Sequence, residues 1–192
     1  MKNYKILFGG QWQYSENQRS GFEFLLPNYQ STQIGFFTYH VWDIQDKWVL
    51  NAGLRYDRGQ HDIEEHQQPL YDLGTRLPTG EFEQRIASFD RQFENISGAA
   101  GLSFFANPQN NVKLNLGNSF RFPTVIELAS NGVHHGNFRH ERGDPTMNIE
   151  RGYQADLTFL HQSNQLHFEV SGFYAYYQQY IYLAPSGRFS NL

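Results

Sequence analysis

From residue 4 the chain alternates with a period of two. Tyr4, Ile6, Phe8, Gly10, Trp12 and Tyr14 fall on one face, and Lys5, Leu7, Gly9, Gln11 and Gln13 on the other. That is the pattern of a strand apolar on one side only. KWVLNAGLRYD repeats it, setting Trp48, Leu50, Ala52, Leu54 and Tyr56 against Lys47, Asn51, Gly53, Arg55 and Asp57, with Val49 as the exception. VKLNLGNSFRF sets Val112, Leu114, Leu116 and Phe120 against Lys113, Asn115, Gly117, Ser119 and Arg121. STQIGFFTYHVW, ISGAAGLSFF, YQADLTFL and QLHFEVSGFYAYY continue the alternation, and no segment sustains a helical period. The expectation is an all-β chain of about seven strands.

The connections alternate in length. A long one, SENQRSGFEFLLPNYQ, joins the first two strands, and a tight turn around residues 44–46 joins the second and third. A long stretch from about Arg58 to Asn95 follows, then the turn NPQNN, then the long segment containing NGVHHGNFRHERGD, then HQSNQ. In an antiparallel up-and-down meander this puts every short turn at one end and every long loop at the other. Outer-membrane barrels have that asymmetry, whereas a Greek-key sandwich has no reason to keep it. Polar residues opposite the apolar face suit either a sandwich in water or a barrel with a polar lumen. The loop pattern points to an antiparallel up-and-down transmembrane β-barrel. Trp42 and Trp48 beside a short turn read as a lower aromatic belt, and Tyr174, Tyr176, Tyr180 and Tyr182 as an upper one.

Composition narrows the function classes. The chain has 192 residues and no cysteine, which excludes thiol catalysis, thiolate ligands and disulfides. The net charge of -4 comes with no block of Lys or Arg to follow a phosphate backbone, so nucleic acid is not an expected partner. No run approaches the roughly 18 apolar residues of a membrane helix, and MKNYKILFGG lacks the core and cleavage site of a signal peptide. There is no GxSxG, no HExxH and no carboxylate pair of inferable geometry, so no enzyme is expected and no catalytic residue is named.

Two clusters offer the imidazole and carboxylate donors that zinc accepts. One is His134, His135, His140, Glu141 and Asp144; the other, in GQHDIEEHQQ, is His61, Asp62, Glu64, Glu65 and His66. Adjacent histidines on an extended chain point to opposite sides, so His134 and His135 share an ion only across a turn. The competing reading is packing of the loop against its surroundings for the first cluster and a solvated loop for the second. Parity places Arg55, Asp57, Lys113, Arg121 and Asp156 on the polar, lumen side.

The segment NSFRFPTVIELASNGVHHGNFRHERGDPTMNIERGYQADLTF resembles TonB-dependent outer-membrane receptors. The matching pieces are PheArgPhePro at 120–123, GluLeu at 127–128, AsnGlyValHisHis at 131–135, GlyAspPro at 143–145 and Glu150, with AGLRYD and FYAYYQQYIYLAP also fitting. The resemblance implies a 22-stranded barrel closed by a plug, in the outer membrane of a Gram-negative bacterium, importing a scarce ligand with energy passed by TonB. Chains with AsnGlyValHisHis resemble receptors for zinc, haem or ferric siderophores. No cofactor is implied beyond zinc or an iron chelate as transported ligand. The implied partners are outer-membrane lipid, the TonB complex acting through the plug, and a small metal or metal-chelate ligand. The lumen-side charges would then contact the plug or line the ligand path. The whole of residues 1–192 is expected to be a partial barrel domain, with plug and remaining strands absent: a barrel segment of a larger receptor, or a truncated gene product. The competing expectation from another class is a soluble β-sandwich that binds a ligand or carbohydrate.

Overall fold

The computed structural model describes residues 3–21, 23–134, 136 and 139–187. Seven long strands form one sheet: β1 (Asn3–Asn17), β2 (Tyr29–Ile44), β3 (Trp48–Ile63), β6 (Phe89–Asn107), β7 (Asn110–Arg121), β10 (Glu150–Gln162) and β11 (His167–Gln178). Two small hairpins, β4 (His66–Tyr71) with β5 (Pro78–Ile86) and β8 (Asn131–His134) with β9 (Arg139–Arg142), rise from the long connections. A five-residue helix, α1 (Val125–Ala129), precedes the second hairpin. The sheet order β1-β2-β3-β6-β7-β10-β11 is a meander, each strand antiparallel to its neighbours. The sandwich alternative falls here: its Greek-key pairing is missing from the described strands, and they lie in one sheet rather than two.

Register fixes the two faces. Directly opposed residues share a side, so the row Gly10, Phe36, Tyr56 and Ile96 stands on the apolar face, and the row Ile44, Trp48, Phe104, Val112, Phe159 and Val170 stands on it nearer the short turns. Trp42 and Trp48 are both on this face, with the Trp48 ring centred 4.2 Å from that of Phe104 at a 32° tilt. Tyr174 and Tyr176 share it on β11, but Tyr180 and Tyr182 lie beyond the strand, after Gln179 turns the backbone at φ 53°. They therefore do not belong to a belt of strand residues.

The long connection between the third and fourth main strands is shorter than expected. β3 and β6 stay paired as far as Ile63 opposite Phe89, well past the Arg58 and Asn95 at which the sequence pattern ends. The apolar face turns polar there: Arg58 faces Glu94 at 3.5 Å, followed by Gln60 with Gln92 and Asp62 with Asp90. The strands continue because the backbone ladder does not depend on what the outer side chains are. His61 and Asp62 are consequently strand residues.

The polar face carries the only apolar cluster of buried residues found among the described residues. Ile63 and Phe93 meet Phe122, Val125, Leu128, Ala129 and Ile149. Val125, Leu128 and Ala129 are one stripe of α1 at spacings of three and four, so the helix lays one side on the sheet at its long-loop end. Thr124 caps it: its hydroxyl receives the Glu127 N–H while the Glu127 carboxylate receives the Thr124 N–H at 2.8 Å.

Candidate functional site

The inner, polar face and the three long connections meet at one end of the sheet. His61 on β3 is buried there, at 3% exposure. Its Nε2 lies 3.1 Å from the Pro123 carbonyl, which only accepts, so Nε2 carries the proton and donates. Nδ1 then accepts from the Ser31 hydroxyl at 2.8 Å. Both ring nitrogens are spent on tying β2, β3 and the chain after β7 together. Next to it on the same face, Arg55 holds Asp57 through Nε at 2.7 Å and through a second nitrogen at 2.6 Å, and also reaches Gln11 at 3.2 Å.

Arg121 ends β7 at the centre of a second network. One guanidinium nitrogen donates to both Glu127 oxygens, at 2.7 and 2.8 Å. The other reaches Glu150 at 3.3 Å and the Ile181 carbonyl at 3.4 Å, while Glu150 receives the Ile181 N–H at 2.8 Å. Burial pushes the Glu127 carboxyl up, but the Thr124 N–H, Arg121 and the Thr124 hydroxyl outweigh it and hold the group below the usual carboxylate range. One arginine thus joins the strand end, the helix start, the next strand and the segment after β11.

A third knot joins the hairpins. Buried Arg85 on β5 donates to Glu83 at 3.2 Å and to the Asn131 carbonyl at 2.9 Å, and the Asn131 amide returns a bond to the Arg85 carbonyl at 2.6 Å. His140 Nε2 sits 3.0 Å from Asn131 Oδ1. His66 stacks on Phe24 at 4.4 Å and reaches Arg19 at 3.4 Å. Burial first, then Arg19 and Arg85, push His66 below the ordinary imidazole range; burial, Arg85 and Arg142 do the same to His140, against a smaller opposing effect of Glu83. Gly132 and Gly143 make these approaches possible. A Cβ on Gly132 would run into the Phe24 carbonyl, and one on Gly143 would stand 2.6 Å from the Leu128 carbonyl carbon.

The two sequence clusters separate in space. In the β8–β9 ladder His134 opposes Arg139, and Gly132 opposes Glu141, on one side; Val133 and His140 point to the other. Glu141 is held by Arg139, and Asp144 accepts from Thr146 beyond the hairpin. His135 lies outside the described residues. In the other cluster His61 points inward while Asp62 faces outward, receiving Gln60 at 2.9 Å. Glu64 receives Asn28 at 3.1 Å, Glu65 is exposed, and His66 belongs to the hairpin knot. Among the described residues no three His, Asp or Glu side chains gather where one ion could hold them. The five charges grouped by parity do share the polar face: Arg55 and Asp57 on β3, Lys113 opposite Ser103 and Thr158, Arg121 opposite Glu150, and Asp156 opposite Asn115. Sequence reasoning missed Glu127, Glu150 and Arg85 as partners; only the Thr-x-x-Glu of 124–127 offered a signal.

A family model described as TonB dependent receptor-like, beta-barrel, matches residues 2–192. The chain belongs to this family. It is a family of receptors, not of enzymes. No curated protein matches the chain. Solved TonB-dependent receptors share its fold. A double mutant of the Serratia marcescens hemophore receptor HasR, in complex with its hemophore HasA and heme, superposes with TM-score 0.74 at 21% identity, over 94% of this chain and 31% of that one. The copper transporter OprC gives 0.67 at 17% identity, over 93% and 28%. The FrpB iron transporter of Neisseria meningitidis gives 0.59 at 16%, over 91% and 25%. The chain therefore spans about a third of the length of the receptor most fully matched among these, 31% of HasR. Within the receptor fold, Arg121 and Glu127 lie in the PheArgPhePro and GluLeu pieces, and their ion pair gives those pieces a structural reason.

Proposed function

We propose that residues 1–192 form a barrel segment of an outer-membrane receptor of a Gram-negative bacterium. The receptor takes up a metal ion or metal chelate (zinc, haem or a ferric siderophore) with energy passed by TonB through a plug. The apolar face meets lipid, and the polar face with Arg55, Asp57, Lys113, Arg121 and Asp156 lines the lumen and faces the plug.

The observation that carries this reading is the packing of all three long connections together at one end of a sheet that is apolar outside and polar inside. That arrangement makes a mouth suited to capture, and receptors named for haem, copper and iron share the fold. The separation of His134 from His140 favours a chelate gripped at its periphery over a bare ion, with His135 as the histidine that a bare-ion site would need in addition. The test is titration of the detergent-solubilised full receptor with zinc, haem and a ferric siderophore, with and without replacement of His134, His135 and His140. Binding of a chelate with zinc affinity unchanged in the triple variant supports chelate capture; loss of zinc binding in that variant restores the ion site. A full-length parent soluble without detergent would sink the membrane reading.

A further inference from the structure

The main sheet forks near its centre. The ladder between β6 and β7 runs from Asn107 opposite Asn110 to Ala99 opposite Gly117 and goes no further. Above that point β6 stays with β3 as far as Phe89 opposite Ile63, and β7 stays with β10 as far as Arg121 opposite Glu150. Side chains bridge the fork where backbone pairing has stopped. The Gly98 N–H donates to Asn118 Oδ1 at 2.8 Å, and Arg151 Nε donates to Asn95 Oδ1 at 3.2 Å. Each of β3, β6, β7 and β10 has both its neighbours in the sheet, so the fork is not a feature of a sheet edge.

A trough of about 740 Å³ lies on the apolar face where the fork begins. Its floor is Ala52, Gly98 and Ala100, and its walls are Leu54, Ile96 and Leu116; no charged side chain lines it among the described residues. Leu54 leans over Gly98, with Cδ2 3.1 Å from where a Cβ would stand, so a side chain there would push this wall aside. Gly98 shares the row of Leu54, and Ala100 shares that of Ala52 and Leu116. The trough therefore occupies the middle and the long-loop side of the apolar row from Trp48 to Tyr56. Its walls on β3 and β7 stand two strand spacings apart, roughly 9–10 Å, and their side chains narrow that width. A single hydrocarbon chain fits, whereas a helix about 10–12 Å across does not. In hydrocarbon no water reaches the flank of β6 that has lost its ladder partner, and a void there forfeits dispersion contacts, so the filler that suits the trough is apolar.

We propose, resting on the reading of the apolar face as lipid-facing, that the trough holds one acyl chain of an outer-leaflet lipid at a fixed site. The chain seals the barrel wall where the β6–β7 ladder stops. The test places the full receptor in phosphatidylcholine vesicles containing a phosphatidylethanolamine with a mid-chain diazirine. The receptor is extracted and washed in detergent to remove loosely held lipid, then photolysed, and the crosslinked peptides are mapped by mass spectrometry. Retained lipid is expected on peptides covering 96–102 and 114–118. Its yield there falls about tenfold in Ala100→Trp, which fills the trough, and in Ile96→Ala, which removes a wall without adding bulk. Phe8→Trp, at the same height on the apolar face two strands from Leu54, leaves the yield unchanged. Crosslinks no denser there than around Phe8, or a yield indifferent to both trough variants, overturn the site and leave the lipid-facing reading standing. A receptor that does not insert into the vesicles at all overturns both.

Discussion

Single side chains at the long-loop end do their work by joining segments that are distant in the chain. His61 is the clearest case, since a buried imidazole with two fixed partners has no capacity left for a ligand. Replacing it by Ala strands the Ser31 hydroxyl and the Pro123 carbonyl and costs about 1–3 kcal/mol, read as a lowered urea midpoint of the refolded receptor. Glu127 behaves differently because it is charged. Its carboxyl lies below its unfolded value, so its contribution is complete above the ordinary carboxylate range and is lost as pH falls through the folded value. Glu127→Gln keeps the shape and removes the charge. Amide exchange across residues 124–130 should then speed up at neutral pH by about tenfold, the equivalent of roughly 1.4 kcal/mol, and the difference from the parent should shrink in acid. Equal exchange at every pH would show that the ion pair with Arg121 does not hold α1.

At the scale of elements, period two made the seven main strands legible, because each has a stretch where one face is apolar. It failed beyond Arg58 and before Asn95, where the outer face becomes charged while Gly59, His61 and Ile63 stay buried: the contrast survives, but inverted in polarity. The hairpins were not legible, since β4 and β8 have 6 and 4 residues and too few alternations to score. Nor was α1, whose five residues make less than two turns. Arg121 could be placed by parity, but Glu127 and Glu150 could not, because their approach depends on how the chain folds back after Pro123. The hairpin knot also titrates. His66 and His140 both sit below their unfolded values, so the packing of the two hairpins is intact above about pH 6.5 and weakens as the pH falls below it. Trypsin cleavage after Arg139 and Arg142 should accelerate between pH 7.5 and 5.5, after correction for the protease's own profile. The short turn offers the opposite sign of change: Gln45 and Asp46 are both left-handed, at φ 53° and 55°. Gln45→Gly relieves one such residue and should raise stability by about 0.5 kcal/mol in the same urea assay.

For the whole molecule, the assignment of faces decides everything else: which charges meet the lumen, which aromatics meet lipid, and which loops lie outside. From Trp48 to Tyr56 the apolar row runs roughly 26 Å along the strand, and a tilt near 40° brings that to about 20 Å, close to the ~25 Å apolar band of outer-membrane barrels. Leu54 stands in this row on the apolar face, one step past its centre at Ala52, and Ser97, opposite Arg55, stands at nearly the same height on the polar face. An arginine placed at each tests the assignment with charge and size held constant. If the apolar face meets lipid, Leu54→Arg puts a cation inside the apolar band a few Å from its centre and should cost about 2–3 kcal/mol in folding of the full receptor into lipid vesicles. Ser97→Arg puts it into a hydrated interior beside Arg55 and Asp57, where the cost should stay below about 1 kcal/mol. In detergent-free vesicles of thinner lipid the Leu54→Arg penalty should fall, because the site lies nearer an interface, while the Ser97→Arg value should not move. Equal penalties at the two sites would mean that both faces see the same medium, and no transmembrane barrel with a polar lumen could then contain this sheet.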